Sequence, residues 1–326
     1  MQRYFLSMAK RNIIVIGASA GGVEALCDLT ENLPDDIDAA IFVAMHVGSE
    51  SVLPHILNRC GKISAVHAEN NKPYKRGRIY VAPSNHHLAM KDRMMTLSRA
   101  PRENGHRPAV DVLFRTAART HRDRVVGVVL SGGLDDGAAG LYAIKARGGV
   151  AIVQDPAEAI APSMPRAALE TVEVDYCLPA SQIATVLTQL SNGHATSITD
   201  TANGEDLPNK MKGAKSATGA PEEQIPLACP ECSGPLYELK EGKLAHFHCF
   251  LGHAFSSESL TEQHTEALER ALWIAMRTLK ERSVLHQNLI ARKRNNGEEE
   301  LLQRLSESVA GADRDAKLLR EILDRI

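Results

Sequence analysis

Residues 12–26, NIIVIGASAGGVEAL, decide how this chain folds. The run Ile13-Ile14-Val15-Ile16 is β-branched and apolar at every position, which suits a strand buried on both faces of a parallel sheet. The small residues from Gly17 to Gly22 then let the backbone turn sharply into a helix, leaving Ser19 at the helix N-terminus. A hydroxyl on such a turn, with the amides of Ala20 and Gly21 and the positive helix end beside it, makes a nucleophile elbow with an oxyanion site. Glycine-rich turns also cradle nucleotide phosphates. The dinucleotide fingerprint, however, needs glycine where Ser19 stands, and no Walker lysine follows.

Outward from this stretch, strand and helix signals alternate over the first 190 residues and predict an α/β fold with a doubly wound parallel sheet. Strands are expected at 39–44, ending at Met45-His46, at 124–130 and at 150–153, with shorter ones at 78–82 and 94–97 pairing as a hairpin. A helix with Val110, Leu113, Phe114 and Ala117 on one face precedes the 124–130 strand. That strand enters a second glycine-rich turn, Ser131 to Gly137, holding Asp135 and Asp136. Functional groups of doubly wound sheets gather at the carboxyl ends of strands. Ser19, His46 and either Asp136 or Asp135 occupy three such ends. A serine hydroxyl needs a base to become nucleophilic, and an imidazole base works best when a carboxylate fixes its tautomer. Singly, a strand-end histidine is commonly structural and a turn aspartate commonly a helix cap. Their coincidence favours a Ser-His-Asp hydrolase, although the chain order differs from the Ser, Asp, His order of α/β-hydrolases.

The segments IVIGASAGGVEAL, HRPAVDVLF (106–114), LSGGLDDGAAG (130–140) and PSMPRAAL (162–169) together resemble the catalytic domain of the chemotaxis protein-glutamate methylesterase family, CheB, over residues 12–190. The resemblance implies Ser19 as nucleophile, His46 as base and Asp136 as the orienting carboxylate, with Asp135 a neighbour of the site. It also implies hydrolysis of γ-glutamyl methyl esters on methylated chemoreceptors or another signalling protein, with methanol released, and deamidation of glutamine. No catalytic cofactor is called for. Two positions depart from the family pattern: Ala20 stands where threonine is usual, and Gly133 where a methionine lines the site. No receiver domain precedes residue 12, so residues 1–11 read as a short extension and control by aspartyl phosphorylation within this chain is not expected.

A chain of 326 residues, 44% of them hydrophobic, can build one large domain and a smaller one. A formal charge of -2 offers no basic face for nucleic acid beyond Lys210, Lys212, Lys215 and the run Arg292 to Arg294. No stretch is apolar enough for a signal peptide or a membrane span, so a cytoplasmic protein without membrane insertion is expected. Cys27, Cys60 and Cys177 are scattered among apolar patterns and read as reduced core residues. Residues 191–226 lack apolar periodicity, as in a flexible linker.

Beyond it, over 227–255, Cys229-x2-Cys232 and Cys249-x3-His253 have zinc-ribbon spacing, with His246 and His248 as competing ligands. A closed four-ligand zinc site would be structural, not catalytic. Residues 256–326 show helical apolar spacing at Leu268, Leu272, Leu279, Leu301 and Leu305, expected to form a helical hairpin that makes a homodimer or docks a regulatory partner. Trp273 is expected where the first helix meets the metal module. The alternative to an esterase is a signalling adaptor that binds partners through the hydrolase fold, the ribbon and the helices.

Overall fold

The structure is a computed structural model that describes residues 10–46, 52–193, 223–241, 244–293 and 299–325. Nearly all of the expected extension, most of the expected linker with Lys210, Lys212 and Lys215, and residues 294–298, which include Arg294 of the basic run, lie outside the described residues. Two compact units divide the chain, Met1–Ser259 and Leu260–Ile326.

In the first unit the chain runs β1 (Ile13–Ala18), α1 (Gly22–Glu31), β2 (Ala40–Met45), α2 (Leu53–Cys60), β3 (Ser64–His67), β4 (Lys72–Pro73), β5 (Arg78–Val81), β6 (His87–Lys91) and β7 (Met94–Ser98). It continues with α3 (Val110–His121), β8 (Val125–Val129), α4 (Ala138–Lys145), β9 (Val150–Gln154), α5 (Ser163–Thr171), β10 (Tyr176–Leu178) and α6 (Ala180–Ser191). The main sheet is parallel throughout, in the order β10-β9-β8-β1-β2-β5-β3.

Side chains alternate across this sheet. Ile14 and Ile16 join Leu26, Leu57 and Ile183 from α1, α2 and α6 on one face, and Ile13 and Val15 join Phe114, Leu141 and Met164 from α3, α4 and α5 on the other. With helices on both faces, every residue of β1, β2, β8 and β9 is buried. Among these four strands only Gln154, at the end of β9, is polar, which is why each reads as an apolar run. Burying one such leucine or isoleucine side chain contributes roughly 1.5–3 kcal/mol.

Three expectations are corrected. The hairpin between the strands near 78 and 94 does not form: β5 enters the main sheet between β2 and β3, while β7 pairs with β6 and β4 in a three-stranded antiparallel sheet. The β6–β7 turn is Asp92-Arg93, with Asp92 left-handed at φ 55° as a tight hairpin favours. Cys27 and Cys60 are not separate reduced residues but form a disulfide between α1 and α2, with Cα atoms 5.3 Å apart. The two helices cover the same sheet face, a proximity that 33 residues of sequence separation hide. Cys177 lies outside the core and is exposed.

The first unit also holds a four-stranded antiparallel sheet in sequence order, β11 (Glu223–Ala228), β12 (Pro235–Glu241), β13 (Leu244–Cys249) and β14 (Ala254–Ser256). Helix α7 (Ser257–Lys293) begins directly after β14, and α8 (Glu299–Leu323) follows. In the second unit Met276, Ala312 and Ala316 are buried, and Ser283 Oγ donates to Asp313 Oδ1 at 3.1 Å. The third correction is Trp273: its ring is covered by the Arg320 guanidinium of α8 at 5.2 Å, and its Nε1–H donates to Glu269 within α7. Among the described residues no helix is long and apolar enough to cross a membrane.

Candidate active site

Strand β1 lies between β8 and β2, so the winding of the main sheet reverses at the carboxyl ends of these three strands. Ser19 follows β1, His46 follows β2, and Asp136 lies in the turn after β8. Main-chain bonds lace the three ends together: His46 N–H donates to Ala18 O at 3.2 Å, Leu130 N–H to Gly17 O at 2.9 Å and Ser19 N–H to Ser131 O at 2.9 Å. The side chains form a row, with Ser19 Oγ 3.2 Å from His46 Nδ1 and His46 Nε2 2.7 Å from Asp136 Oδ2. A proton on Nε2, facing the carboxylate, leaves the Nδ1 lone pair to accept from the Ser19 hydroxyl.

Asp136 is fixed as an anion by helix geometry. Its Oδ2 accepts from Val110 N–H at 2.7 Å, and its Oδ1 from Asp111 N–H and Asn104 Nδ2, both at 3.1 Å. Val110 and Asp111 open α3, where unpaired amides and the helix dipole favour a negative charge. In return, Asp111 Oδ1 accepts from Gly137 N–H at 3.1 Å and Gly140 N–H at 2.6 Å at the start of α4. Burial would raise the Asp136 carboxyl, but the hydrogen bond and charge of His46, with the Val110 and Asp111 amides, outweigh it and hold it at about 2. Asp135, the other candidate, faces away from His46 in its bonding: it accepts from Ser256 Oγ at 2.8 Å, and burial pushes it up to about 6.

The turns that carry this row are tight at some positions and open at others. Gly21 is left-handed at φ 71° and stands at the N-cap of α1. A Cβ on Gly132 would come within 2.0 Å of Met164 Sδ and 2.9 Å of Ser19 Cβ, so the turn after β8 can lie against Ser19 only as glycine. A Cβ on Gly133 would meet nothing within 4 Å. Gly22 N–H is taken by Ser19 O at 2.9 Å, whereas the amides of Ala20 and Gly21 meet no acceptor among the described residues.

Sequence reasoning missed three neighbours of the row. The His106 ring stacks on that of His46, with centroids 3.5 Å apart and planes 15° apart. Burial, and then the nearby His46 charge, push His106 down to about 4, so it is neutral at neutral pH. Asp111 and the buried Asn104 are the others. His106 and Asp111 sit inside HRPAVDVLF, a segment quoted for its resemblance but given no chemistry. Asn104-Gly105 carries only a turn signal.

The second cluster expected from spacing also comes together. Ligand atoms of Cys229, Cys232, Cys249 and His253 all lie within 4.8 Å of one another. Cys232 Sγ is 3.6 Å from Cys249 Sγ, and His253 Nδ1 is 3.7 Å from Cys229 Sγ and 3.4 Å from Cys249 Sγ. Tetrahedral zinc, with bonds of ~2.3 Å to sulfur and ~2.0–2.1 Å to nitrogen, needs separations of about this size, so the donor set fits a metal ion. Two tight turns shape it, closed by Cys229 N–H to Gly234 O at 2.7 Å and Cys249 N–H to His253 O at 3.0 Å. His246 and His248 are not in the cluster; they lie along β13, opposite Leu239 and Tyr237 of β12.

Comparison with known proteins bears on the first site. Residues 14–187 match the family model described as CheB methylesterase. A Leptospira interrogans protein provisionally named protein-glutamate methylesterase/protein-glutamine glutaminase is 40% identical over 184 residues, 56% of this chain and 95% of its own. The protein of that name from Pyrococcus horikoshii is 36% identical over 183 residues, of which the chain spans half the relative's length. The crystal structure of the Thermotoga maritima CheB methylesterase catalytic domain, 31% identical, aligns with a TM-score of 0.54 over 56% of this chain and 100% of its own. The chain therefore belongs to the CheB methylesterase family and is an ester hydrolase of the methylesterase type.

Proposed function

We propose that this protein hydrolyses glutamyl methyl esters on a methylated chemoreceptor or another signalling protein, with Ser19 as nucleophile, His46 as base and Asp136 as the carboxylate that orients His46. The observation that carries this is the continuous row from Ser19 Oγ through His46 to Asp136 Oδ2. His46 Nδ1 takes the hydroxyl proton as Ser19 Oγ attacks the ester carbonyl, and Asp136 steadies the imidazolium. The oxyanion falls to the Ala20 and Gly21 amides, where one donor is worth roughly 100- to 1,000-fold in rate. Collapse expels methoxide, which takes the proton from His46 and leaves as methanol. A water deprotonated by His46 then attacks the acyl-enzyme and frees Ser19. The same steps on a glutamine side chain release ammonia. The neutral His106 ring against His46 spares the base a second positive charge at van der Waals distance.

Cys229, Cys232, Cys249 and His253 take a structural zinc ion in this reading. Four protein ligands leave no open position, so the metal's part is to hold the small sheet together.

The test is methanol release from methylated chemoreceptor glutamates. Wild type is expected to release it and Ser19→Ala to lose at least about 1,000-fold in rate. Covalent capture of Ser19 by a fluorophosphonate gives the same answer without a receptor. The exposed Leu268, Ile274, Val284 and Leu285 of α7 favour a second reading, an adaptor that docks a partner, and an unreactive Ser19 would select it.

A further inference from the structure

The small antiparallel sheet does not merely sit beside the hydrolase fold. The loop leading to α3 is bonded to β14: Asn104 N–H donates to Ala254 O at 2.8 Å, and Glu103 bridges to Ala254. Ala254 is the residue after His253, one of the four clustered ligands, and Ser256 closes the strand.

Ser256 and Ser259 form a reciprocal cap on α7. Ser259 N–H donates to Ser256 Oγ at 3.0 Å, and Ser256 N–H lies 3.0 Å from Ser259 Oγ. Both serines also reach the hydrolase fold. Asn104 Oδ1 accepts from Ser256 N–H at 3.0 Å and from Ser259 Oγ at 3.1 Å, while its Nδ2 donates to Asp136 Oδ1 and Asp111 Oδ2 at 3.1 Å each. A side-chain amide has two donors and two acceptor sites, and here all four are used. Two face the capped start of α7, and two face the carboxylates at the start of α3. Asn104 is 4% exposed, Ser259 0% and Asp136 2%, so water does not substitute for these bonds. The left-handed backbone of Asn104, φ 52°, is one that asparagine adopts at low cost.

We infer that the Cys/His module is a positioning device for the hydrolase: through Ser256 and Ser259 it fixes Asn104, which fixes the Asp136 carboxylate that orients His46, so occupancy of the four-ligand site sets the turnover rate. This rests on the catalytic reading of Ser19, His46 and Asp136, and Asn104, Ser256 and Ser259 act in it as positioning residues. Were the module to loosen, Asp136 Oδ1 would lose a donor and the row would lose its register, lowering kcat while leaving substrate binding intact.

The experiment uses the full chain and a small activated ester, with wild type, Asn104→Ala, the double variant Ser256→Ala/Ser259→Ala and the triple variant, each checked for its thermal midpoint. Asn104→Ala and the double variant should each lower kcat by about tenfold with KM unchanged within about twofold. The triple variant should fall no further, because the three residues act as one unit. Stripping metal with a chelator should give the same drop, and zinc alone should reverse it. A readout apart from activity is the His46 Nε2 proton shared with Asp136, followed in nitrogen-15 histidine-labelled protein. It should move or broaden in every variant and in stripped protein.

An unmoved His46 proton with unchanged kcat in the folded double variant overturns the inference and leaves the esterase standing, as would additive losses in the triple variant. If instead wild type turns over no ester and Ser19 takes no fluorophosphonate, the hydrolase reading fails. The His46 proton then still decides whether the module holds Asp136.

Discussion

Around Ser19, two adjacent glycines differ in what they tolerate. A methyl group on Gly132 would collide with Met164 and Ser19, so Gly132→Ala should cost about 1–3 kcal/mol and displace Ser19. Gly133 faces open space, so Gly133→Met should leave stability within about 0.5 kcal/mol, and thermal melts beside ester turnover check both. Asp136 gives a pH-dependent prediction. Its carboxyl is lowered from 3.8 to about 2 in the folded protein, so it contributes stability above pH ~4 that is lost as the pH falls toward 2. Unfolding free energies of wild type and Asp136→Asn from urea melts should therefore differ by about 2 kcal/mol at pH 7 and converge at the acid end. Ser19 and His46 were legible because each follows an uninterrupted apolar run whose end is easy to place. The choice between Asp135 and Asp136 was not open to sequence logic alone. Both sit in one turn, and only the N-terminus of α3, brought in from far along the chain, distinguishes them. His106 and Asn104 were illegible for the same reason, being delivered by an irregular loop with no periodicity to read.

At the scale of elements, strands covered on both faces announced themselves, while β3, β6 and β10 did not. β3 and β6 carry polar residues at their ends, and β10 has only three residues with none buried, so none of them presents an apolar run long enough to read. The two cysteine turns were legible because each ligand pair is local: four residues span Cys229 to Cys232 and five span Cys249 to His253. The disulfide between α1 and α2 was not, since it depends on two helices settling side by side. For the small sheet the expectation is one zinc per chain by metal analysis, reduced in Cys232→Ser. With the metal gone, amides of β12 and β13 should exchange with solvent far faster while those of β1 and β8 stay protected, because the large sheet has a core of its own. Equal protection in both states would show that the ion contributes little to the fold.

For the whole molecule, alternating strand and helix signals sufficed to expect a doubly wound parallel sheet, whereas the order β10-β9-β8-β1-β2-β5-β3, with its reversal of winding at β1, depends on pairings between distant strands that no local signal carries. The attachment of the small sheet to the loop before α3 had no such signal, because Asn104 and Ser259 lie 155 residues apart. The helical unit exposes Leu268, Ile274, Val284 and Leu285 to solvent along α7. Sedimentation equilibrium should find a dimer at micromolar concentrations, and Ile274→Glu with Leu285→Glu should return it to a monomer with ester turnover unchanged. The long reach from Asn104 to Ser256 and Ser259 has one more consequence, in the order of synthesis. Ser19, His46, Asn104 and Asp136 all leave the ribosome well before Ser256 and Ser259 are made. A nascent chain can thus assemble the parallel sheet and its row of side chains while the final support is missing, and the enzyme reaches full competence only when translation has passed the cysteine turns and the first residues of α7.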